Sequence, residues 1–233
     1  MSDHPDICTA LVKETHFFDQ DIYFHDGFFS DKESAYEWYH MFFNDHVGQR
    51  VTGEATPTYM YAPHIAERLK DYNPELKLIF LLRNPVERAY SHYRMMERAK
   101  KESLTFSEAL CREESRLQEA QGNYGVGSPM WLYSYASRGF YMAQIRNMLR
   151  YFPRELMLFL RSEDLLRNRR ETLARVYEFL EVEPQPLPES KGTFAGEYEP
   201  MRPQDRAYLL DLYSREIDAL EAFLGWDLGD WRE

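Results

Sequence analysis

The feature that most constrains the fold is the apolar run at residues 76–82, LKLIFLL, together with the residues that follow it. A nearly continuous apolar run of this length is typical of a parallel strand that is covered on both faces. Arg83 and Asn84 end the run, and Pro85 can occupy the first turn of a following helix. The run therefore predicts a strand–helix junction within an α/β sheet.

The remainder of the chain alternates between the two kinds of element. The sequence predicts a short strand at residues 50–54, a second buried strand at 156–160 and a turn beginning at 162–164. Helices are predicted after the cap at Asp31, over residues 63–72, from Pro85 through Tyr93, over 103–121, after Gly139 as far as Tyr151, over 171–180 and over 203–224. Strands that alternate with helices favour an α/β fold with a parallel sheet. A length of 233 residues fits one domain over 1–233 better than two small ones.

Composition excludes several classes of function. The formal net charge of −11 argues against general nucleic-acid binding, which needs a basic face. The two cysteines, Cys8 and Cys111, lie far apart without His or Cys at ligand spacing, so neither a zinc site nor a disulfide scaffold is expected, and no metal is predicted. The sequence contains no apolar run of membrane-spanning length and no signal peptide, which predicts a cytoplasmic protein without a membrane partner. The oligomeric state is left open.

The strand–helix junction is also the first candidate binding site. Ligands of open α/β sheets bind beyond the carboxyl ends of strands, where a helix N-terminus offers free N–H groups to an anion. Arg83 would add a planar charged fork suited to phosphate, and Ser91, two turns into the helix, a hydroxyl. The residues alone leave a second interpretation open, in which Arg83 pairs with a carboxylate and Ser91 is a surface residue.

The sequence of residues 78–93, LIFLLRNPVERAYSHY, resembles a known segment. It is similar to the one that binds the 3′-phosphate of PAPS (3′-phosphoadenosine 5′-phosphosulfate) in sulfotransferases. The closest resemblance is to the heparan-sulfate N- and 3-O-sulfotransferases and their bacterial relatives. In that motif the arginine and the serine hold the 3′-phosphate, and they match Arg83 and Ser91.

Further segments follow in the family's order, so that the resemblance spans nearly the whole chain. Residues 4–18 resemble a stretch whose glutamate is the proposed general base and whose histidine supports the acceptor site; these match Glu14 and His16. Without the resemblance, Glu14 would be an ordinary surface carboxylate and His16 a core or surface histidine. Other matches are residues 53–59, with Glu54 and Thr56 as predicted substrate-binding residues; 137–141 and 149–153; and 190–192, with Lys191 and Gly192 as predicted cofactor contacts.

The resemblance implies a P-loop-NTPase-like α/β fold and a sulfuryl transfer from PAPS to a hydroxyl or amine of a carbohydrate or small molecule. Glu14 is close in sequence to the aromatic residues Phe17 and Phe18, which would favour its action as a base. Residue 193, where the family has a basic residue, is Thr193, and Ala55 stands where 3-O-sulfotransferases carry a lysine.

One family element is expected upstream of the first motif. The glycine-rich loop that holds the 5′-phosphosulfate should lie about 15–25 residues before His4, and the chain starts at Met1. The interpretation is therefore an N-terminally truncated fold that lacks the first strand and this loop. Three explanations stay open: a start codon assigned too late, a truncated and inactive chain, or another element that replaces the loop.

Two alternatives to an active sulfotransferase are also open. One is a non-catalytic module that binds a nucleotide or a glycan without transfer. The other is a phosphoryl-transfer enzyme such as a nucleotide kinase, which would need Mg²⁺ and a carboxylate at the end of a strand. The main predicted strand here ends in Arg83. The acceptor pocket is expected in the loops at residues 19–29 and 122–131.

Overall fold

The computed structural model describes residues 4–24, 27–186 and 199–233. The chain forms two compact units. The first comprises Met1–Leu81 and Asn147–Leu187, and the second comprises Leu82–Arg146 and Pro188–Glu233. The single domain over residues 1–233 stays a prediction.

Four strands are interspersed among the helices of the described residues. In order they are β1 (Ile7–Thr9), α1 (Lys32–His40), β2 (Val51–Gly53), α2 (Thr58–Tyr61), α3 (Ile65–Tyr72), β3 (Leu78–Leu82), α4 (Pro85–Arg98), α5 (Phe106–Glu119), α6 (Pro129–Tyr133), α7 (Tyr141–Leu149), β4 (Met157–Arg161), α8 (Ser162–Arg167), α9 (Arg169–Leu180) and α10 (Pro203–Leu224).

The strands form two pairs. β1 and β2 are parallel, with Ile7 opposite Val51 and Thr9 opposite Gly53. β3 pairs with β4. Parallel pairing within a chain that alternates strands and helices is the α/β arrangement that the sequence predicted. β1 was not predicted, because three residues carry too little alternation to reveal a strand.

The core of the first unit joins both strand pairs to α9. Buried side chains of Ile7 and Leu160 lie in one cluster with those of α9, and Val51, Ile79 and Leu158 pack against it half-buried. Each strand therefore contributes an apolar residue to the same core. Because β1 is anchored there, the segment that leaves it starts from a defined position.

Side-chain capping explains where several of the helices begin. The side chain of Asp31 accepts a hydrogen bond from Ser34 N at 2.8 Å, which confirms the predicted cap of α1. α5 begins at Phe106, later than predicted, because Thr105 and Glu108 form a reciprocal capping box. The turn predicted at residues 162–164 is wrong, since α8 starts at Ser162. Two acidic residues in the first turn of α8 favour a helix start electrostatically.

In the second unit, Gly139 lies against α10. A Cβ atom at this position would come within 2.5 Å of the hydroxyl oxygen of Tyr213. That hydroxyl donates to the carbonyl of Ala136 at 2.6 Å. Glycine is therefore required here by close approach to a buried tyrosine.

Candidate active site

The loop that follows β1 carries the two predicted catalytic residues. Ala10 N donates to Gly53 O at 3.2 Å and Leu11 N donates to Phe42 O at 2.8 Å, so the start of the loop is held beside β2 and the end of α1. Glu14 and His16 follow directly. Residues 14–19 form a segment called the Glu14–Asp19 loop.

Within this loop His16 lies between two carboxylates. Its Nε2 atom is 3.3 Å from Oε2 of Glu14, and its Nδ1 atom is 2.8 Å from Oδ2 of Asp19. The side chain of Asp19 is fully buried, whereas that of Glu14 is 29% exposed. Of the three groups in contact, Asp19 is therefore anchored in the protein interior, and Glu14 is accessible to a ligand.

The two contacts of the imidazole define its chemistry. A buried carboxylate accepts, so the Nδ1–H group of His16 donates to Asp19. In the neutral ring Nε2 is then an acceptor that faces Glu14, and it can share a proton that the glutamate takes up. The arrangement can remove a proton from a bound group and hold it within the site.

Aromatic packing fixes the end of the loop. The side chains of Phe17 and Phe18 are 0% and 1% exposed. The ring of Phe17 stacks on Tyr39 with centroids 4.8 Å apart, and Phe18 meets the same ring edge-on at 5.1 Å. Buried aromatic pairs of this kind contribute more than their buried area alone. The loop is therefore anchored immediately after His16.

The structure brings Glu54 and Thr56 to the same loop. Oε1 of Glu54 accepts a hydrogen bond from Thr15 at 3.1 Å, and Oε2 accepts one from Thr56 at 2.8 Å. Burial raises the pKa of the Glu54 carboxyl, and the charge of Asp19 raises it further, although the hydroxyl donors oppose this. The predicted role of Glu54 and Thr56 in substrate binding stays a prediction.

Arg83 and Ser91 belong to the second unit. Arg83 precedes α4, whose N-cap Asn84 accepts from Val86 N at 2.9 Å and whose first residue is Pro85. Tyr141 donates its hydroxyl to the carbonyl of Arg83 at 2.9 Å, which fixes the backbone there.

Both side chains of this pair are available. Within the part of the chain that the structure describes, neither the half-buried guanidinium of Arg83 nor the hydroxyl of Ser91 has a hydrogen bond or ion pair. A free guanidinium ahead of a helix N-terminus and a hydroxyl two turns along the helix are donors suited to a phosphate group.

Lys191 and Gly192, the predicted cofactor contacts, lie outside the described residues. Among the described residues, no group of His, Cys, Asp or Glu side chains is arranged to hold a metal ion. In the same part of the chain, the helices are all too short or too polar to cross a bilayer.

Sequence reasoning missed Asp19 and the hydroxyl groups of Thr15 and Tyr59. A signal for Asp19 was present, since it follows His16 by three residues in a stretch rich in aromatic side chains. No local signal marks Thr15, whose partners come from a distant segment of the chain.

Comparisons with known proteins agree on one family. A model of the sulfotransferase domain matches residues 19–194. The chain is 30% identical over 177 residues to heparan sulfate glucosamine 3-O-sulfotransferase 6 of Mus musculus, a match that covers 76% of this chain and 45% of that protein. It is 29% identical to the human 3-O-sulfotransferase 3B1, over 76% of this chain and 40% of that protein. The chain thus spans less than half the length of these curated relatives.

A solved structure agrees with these matches. The crystal structure of a sulfotransferase from Alicyclobacillus acidocaldarius superposes with a TM-score of 0.81 at 31% sequence identity. The match covers 100% of this chain and 91% of that one. The predicted α/β sulfotransferase fold is confirmed.

Proposed function

The chain belongs to the sulfotransferase domain family, and from this premise we propose that it transfers a sulfuryl group from PAPS to a hydroxyl or amine of a carbohydrate or small-molecule acceptor. Two of the relatives are named as heparan sulfate glucosamine 3-O-sulfotransferases, which supports a carbohydrate among the acceptors. The cytoplasmic location predicted from the sequence is part of the same proposal.

The observation that carries the proposal is the position of His16 between Glu14 and Asp19. Sulfuryl transfer to an alcohol or amine requires a base that removes the proton of the attacking atom. Glu14 is the partly exposed carboxylate of this group, and it is therefore the base that can reach an acceptor.

Glu14, His16 and Asp19 then take up the proton that the acceptor loses. Glu14 takes the proton from the acceptor oxygen or nitrogen as that atom attacks, and His16 Nε2 shares it. Asp19 holds the Nδ1–H group and stabilises the positive charge that develops on the ring. Because Asp19 is completely buried, its charge is poorly screened by water and acts strongly on the imidazole.

The donor half of the proposal concerns the second unit. PAPS supplies an activated sulfuryl group on a phosphate leaving group. Arg83 and Ser91 would hold its 3′-phosphate at the N-terminal part of α4, and the available donors described above fit this role. Lys191 and Gly192 are proposed as further contacts to the same nucleotide.

Two measurements on the wild-type chain test the proposal. Titration with adenosine 3′,5′-bisphosphate in a calorimeter is expected to give saturable heat. The substitution Arg83→Ala should weaken this binding by about tenfold or more, because hydrogen bonds to charged groups contribute ~1.5–3 kcal/mol. Arg112→Ala, an exposed arginine of α5, is the matched control.

Transfer itself is measured with ³⁵S-labelled PAPS and a panel of acceptors that includes glycans, phenols and amines. Label in an acceptor that depends on Glu14 supports the proposal. Nucleotide binding without transfer to any acceptor would favour the non-catalytic binding module. Absence of nucleotide binding, or equal binding by the Arg83→Ala variant, would overturn the donor assignment.

A further inference from the structure

The backbone of the Glu14–Asp19 loop is held by side chains from the segment after β2. The amide of His16 donates to Oγ1 of Thr56 at 3.4 Å. The amides of Phe17 and Phe18 donate to the hydroxyl oxygen of Tyr59 at 3.0 and 3.2 Å. The amide of Phe17 also donates to Oγ1 of Thr15 at 3.4 Å. Three successive amides outside a helix or strand thus find their acceptors in side-chain hydroxyl groups, as buried N–H groups require.

The conformation held in this way is an unfavourable one. His16 has a φ angle of 51°, in the left-handed region that residues other than glycine seldom adopt. Such a conformation persists only where the surroundings over-determine it. The φ angle of His16 also sets the direction of its side chain, and hence its reach to both carboxylates.

Glu54 lies behind these acceptors. Its two carboxylate oxygens accept from Thr15 Oγ1 at 3.1 Å and from Thr56 Oγ1 at 2.8 Å. The hydroxyl groups of Thr15 and Tyr59 are 3.0 Å apart. Glu54, Thr15, Thr56 and Tyr59 are together called the Glu54 network.

The ionised form of Glu54 determines the direction of every hydrogen bond in the network. A hydroxyl group has one hydrogen, and an ionised carboxylate only accepts. Thr15 and Thr56 therefore give their hydrogens to Glu54, and Tyr59 can give its hydrogen only to Glu54 or to Thr15. The oxygen lone pairs of Thr56 and Tyr59 are left facing the amides of the loop.

A protonated Glu54 would break this order. Its own hydrogen would need one of the two threonine oxygens, and that threonine would then have to turn its hydrogen elsewhere. If the proton of Glu54 pointed to Oγ1 of Thr56, it would compete with the amide of His16 for the lone pairs of that oxygen. A network with one donor too many is costly in a buried site.

We propose that Glu54 is a positioning residue, which through the hydroxyl groups of Thr15, Thr56 and Tyr59 holds His16 in the left-handed conformation that sets its imidazole between Glu14 and Asp19. The inference rests on the proposed function for the roles of Glu14 and His16. It assigns to Glu54 a task that is separate from contact with a substrate.

The surroundings of Glu54 add a dependence on pH. The titratable groups that face it are Asp19, Tyr39 and Tyr59. Burial raises the pKa of Glu54, so its protonation occurs at a higher pH than that of an exposed carboxyl. Burial also raises the pKa of Tyr39 and Tyr59, which keeps both phenols neutral.

Substitutions of similar shape at Thr56 distinguish the effect of its hydroxyl group from the effect of its packing. Thr56→Val keeps the shape of the side chain but removes the hydroxyl, and Thr56→Ser keeps the hydroxyl. We expect Thr56→Val to lower kcat by about tenfold without a change in KM for PAPS, because it removes the acceptor of the His16 amide and a donor to Glu54. Thr56→Ser should recover most of that rate. Thr52→Val, an exposed threonine of β2, is the control and should leave kcat unchanged.

A second measurement does not depend on turnover. Hydrogen exchange at the amide of Phe18 is expected to accelerate at least tenfold in Tyr59→Phe, because its acceptor is removed. The amide of Phe17 should accelerate less, because Oγ1 of Thr15 still accepts from it. The amide of His16 should respond in the same way to Thr56→Val and much less to Thr56→Ser.

Each outcome bears on the inference. Equal kcat values for Thr56→Val and wild type would overturn it. Equal losses in Thr56→Val and Thr56→Ser would overturn it as well, since packing and not hydroxyl direction would then be the cause. If wild type transfers no sulfuryl group at all, the proposed function fails, while the exchange rates still decide whether the Glu54 network holds the loop.

Discussion

The Nδ1 atom of His16 lies 2.8 Å from Oδ2 of Asp19, and the aspartate side chain is completely buried. A buried carboxylate at this distance fixes the orientation of the imidazole and the position of its proton. Because Glu14 contacts the opposite nitrogen, the ring links a buried charge to a carboxylate that solvent can reach. The predictions below follow from this arrangement and from the packing around it.

Asp19→Asn should reduce kcat by about 10²-fold and leave nucleotide binding unchanged. The amide can still accept a hydrogen bond from the ring, but it lacks the charge that stabilises an imidazolium. The kinetics of ³⁵S transfer measure the effect, and Asp45→Asn, an exposed position, is the control. A rate equal to wild type would remove Asp19 from the mechanism.

Glu14→Gln should lower kcat by about 10²–10⁴-fold, the usual contribution of a positioned general base. Its amide has almost the same shape, so the affinity for adenosine 3′,5′-bisphosphate and the melting temperature should stay at wild-type values. Single-turnover transfer measures the chemical step directly. A variant that binds nucleotide and still transfers at the wild-type rate would contradict the role of Glu14 as the base.

Glu54→Gln should separate stability from activity. The pKa of Glu54 is raised in the folded protein, so the folded state binds its proton more tightly than the unfolded state does. The contribution of this group to the free energy of unfolding therefore falls as pH rises from the usual carboxyl range through the raised pKa. Glutamine removes that dependence, so the difference in the free energy of unfolding between variant and wild type should shift in favour of the variant as pH rises through this interval.

Guanidinium unfolding at a series of pH values measures this difference in the free energy of unfolding. Over the same interval kcat should fall by about tenfold in Glu54→Gln, because the amide brings donors into a network that needs only an acceptor. A variant that loses stability and activity in parallel at all pH values would argue for a purely structural glutamate.

Gly139→Ala should destabilise the second unit by roughly 1–3 kcal/mol, the usual cost of an overpacked site. The added methyl group would meet ring atoms of Tyr213 at 2.5–2.6 Å, and the buried tyrosine cannot move aside without losing its hydrogen bond to Ala136. The midpoint of chemical unfolding measures the change. Gly53→Ala, where an added Cβ meets nothing within 4 Å, should have a much smaller effect.

Elements with strong local signals were predicted closely. α10 runs from Pro203 to Leu224, as predicted, because a proline in the first turn starts the helix and Gly225, with a φ angle of 67°, ends it. The strands β3 and β4 were also predicted to within two residues of their ends, since apolar runs of this length are typical of strands. The prediction that β3 is covered on both faces is wrong in part, because the side chain of Leu81 in this strand is 49% exposed.

Elements with weak local signals were missed. β1 has only three residues and is a strand because β2 pairs with it. α8 was taken for a turn because its six residues are too few for a clear helical period. At β1 the pairing with β2 outweighs the intrinsic preference of the segment.

The sequence by itself determined the strand–helix junction at residues 76–93 and the order of the family's motifs, because a run of apolar residues, a proline and an arginine act through their nearest neighbours. Only the tertiary structure decided what surrounds His16. Thr15 and Glu54 are 39 residues apart in the chain, and their hydrogen bond exists because β1 and β2 pair side by side. Contacts of that range depend on how the whole unit packs, and no local pattern of residue types encodes them.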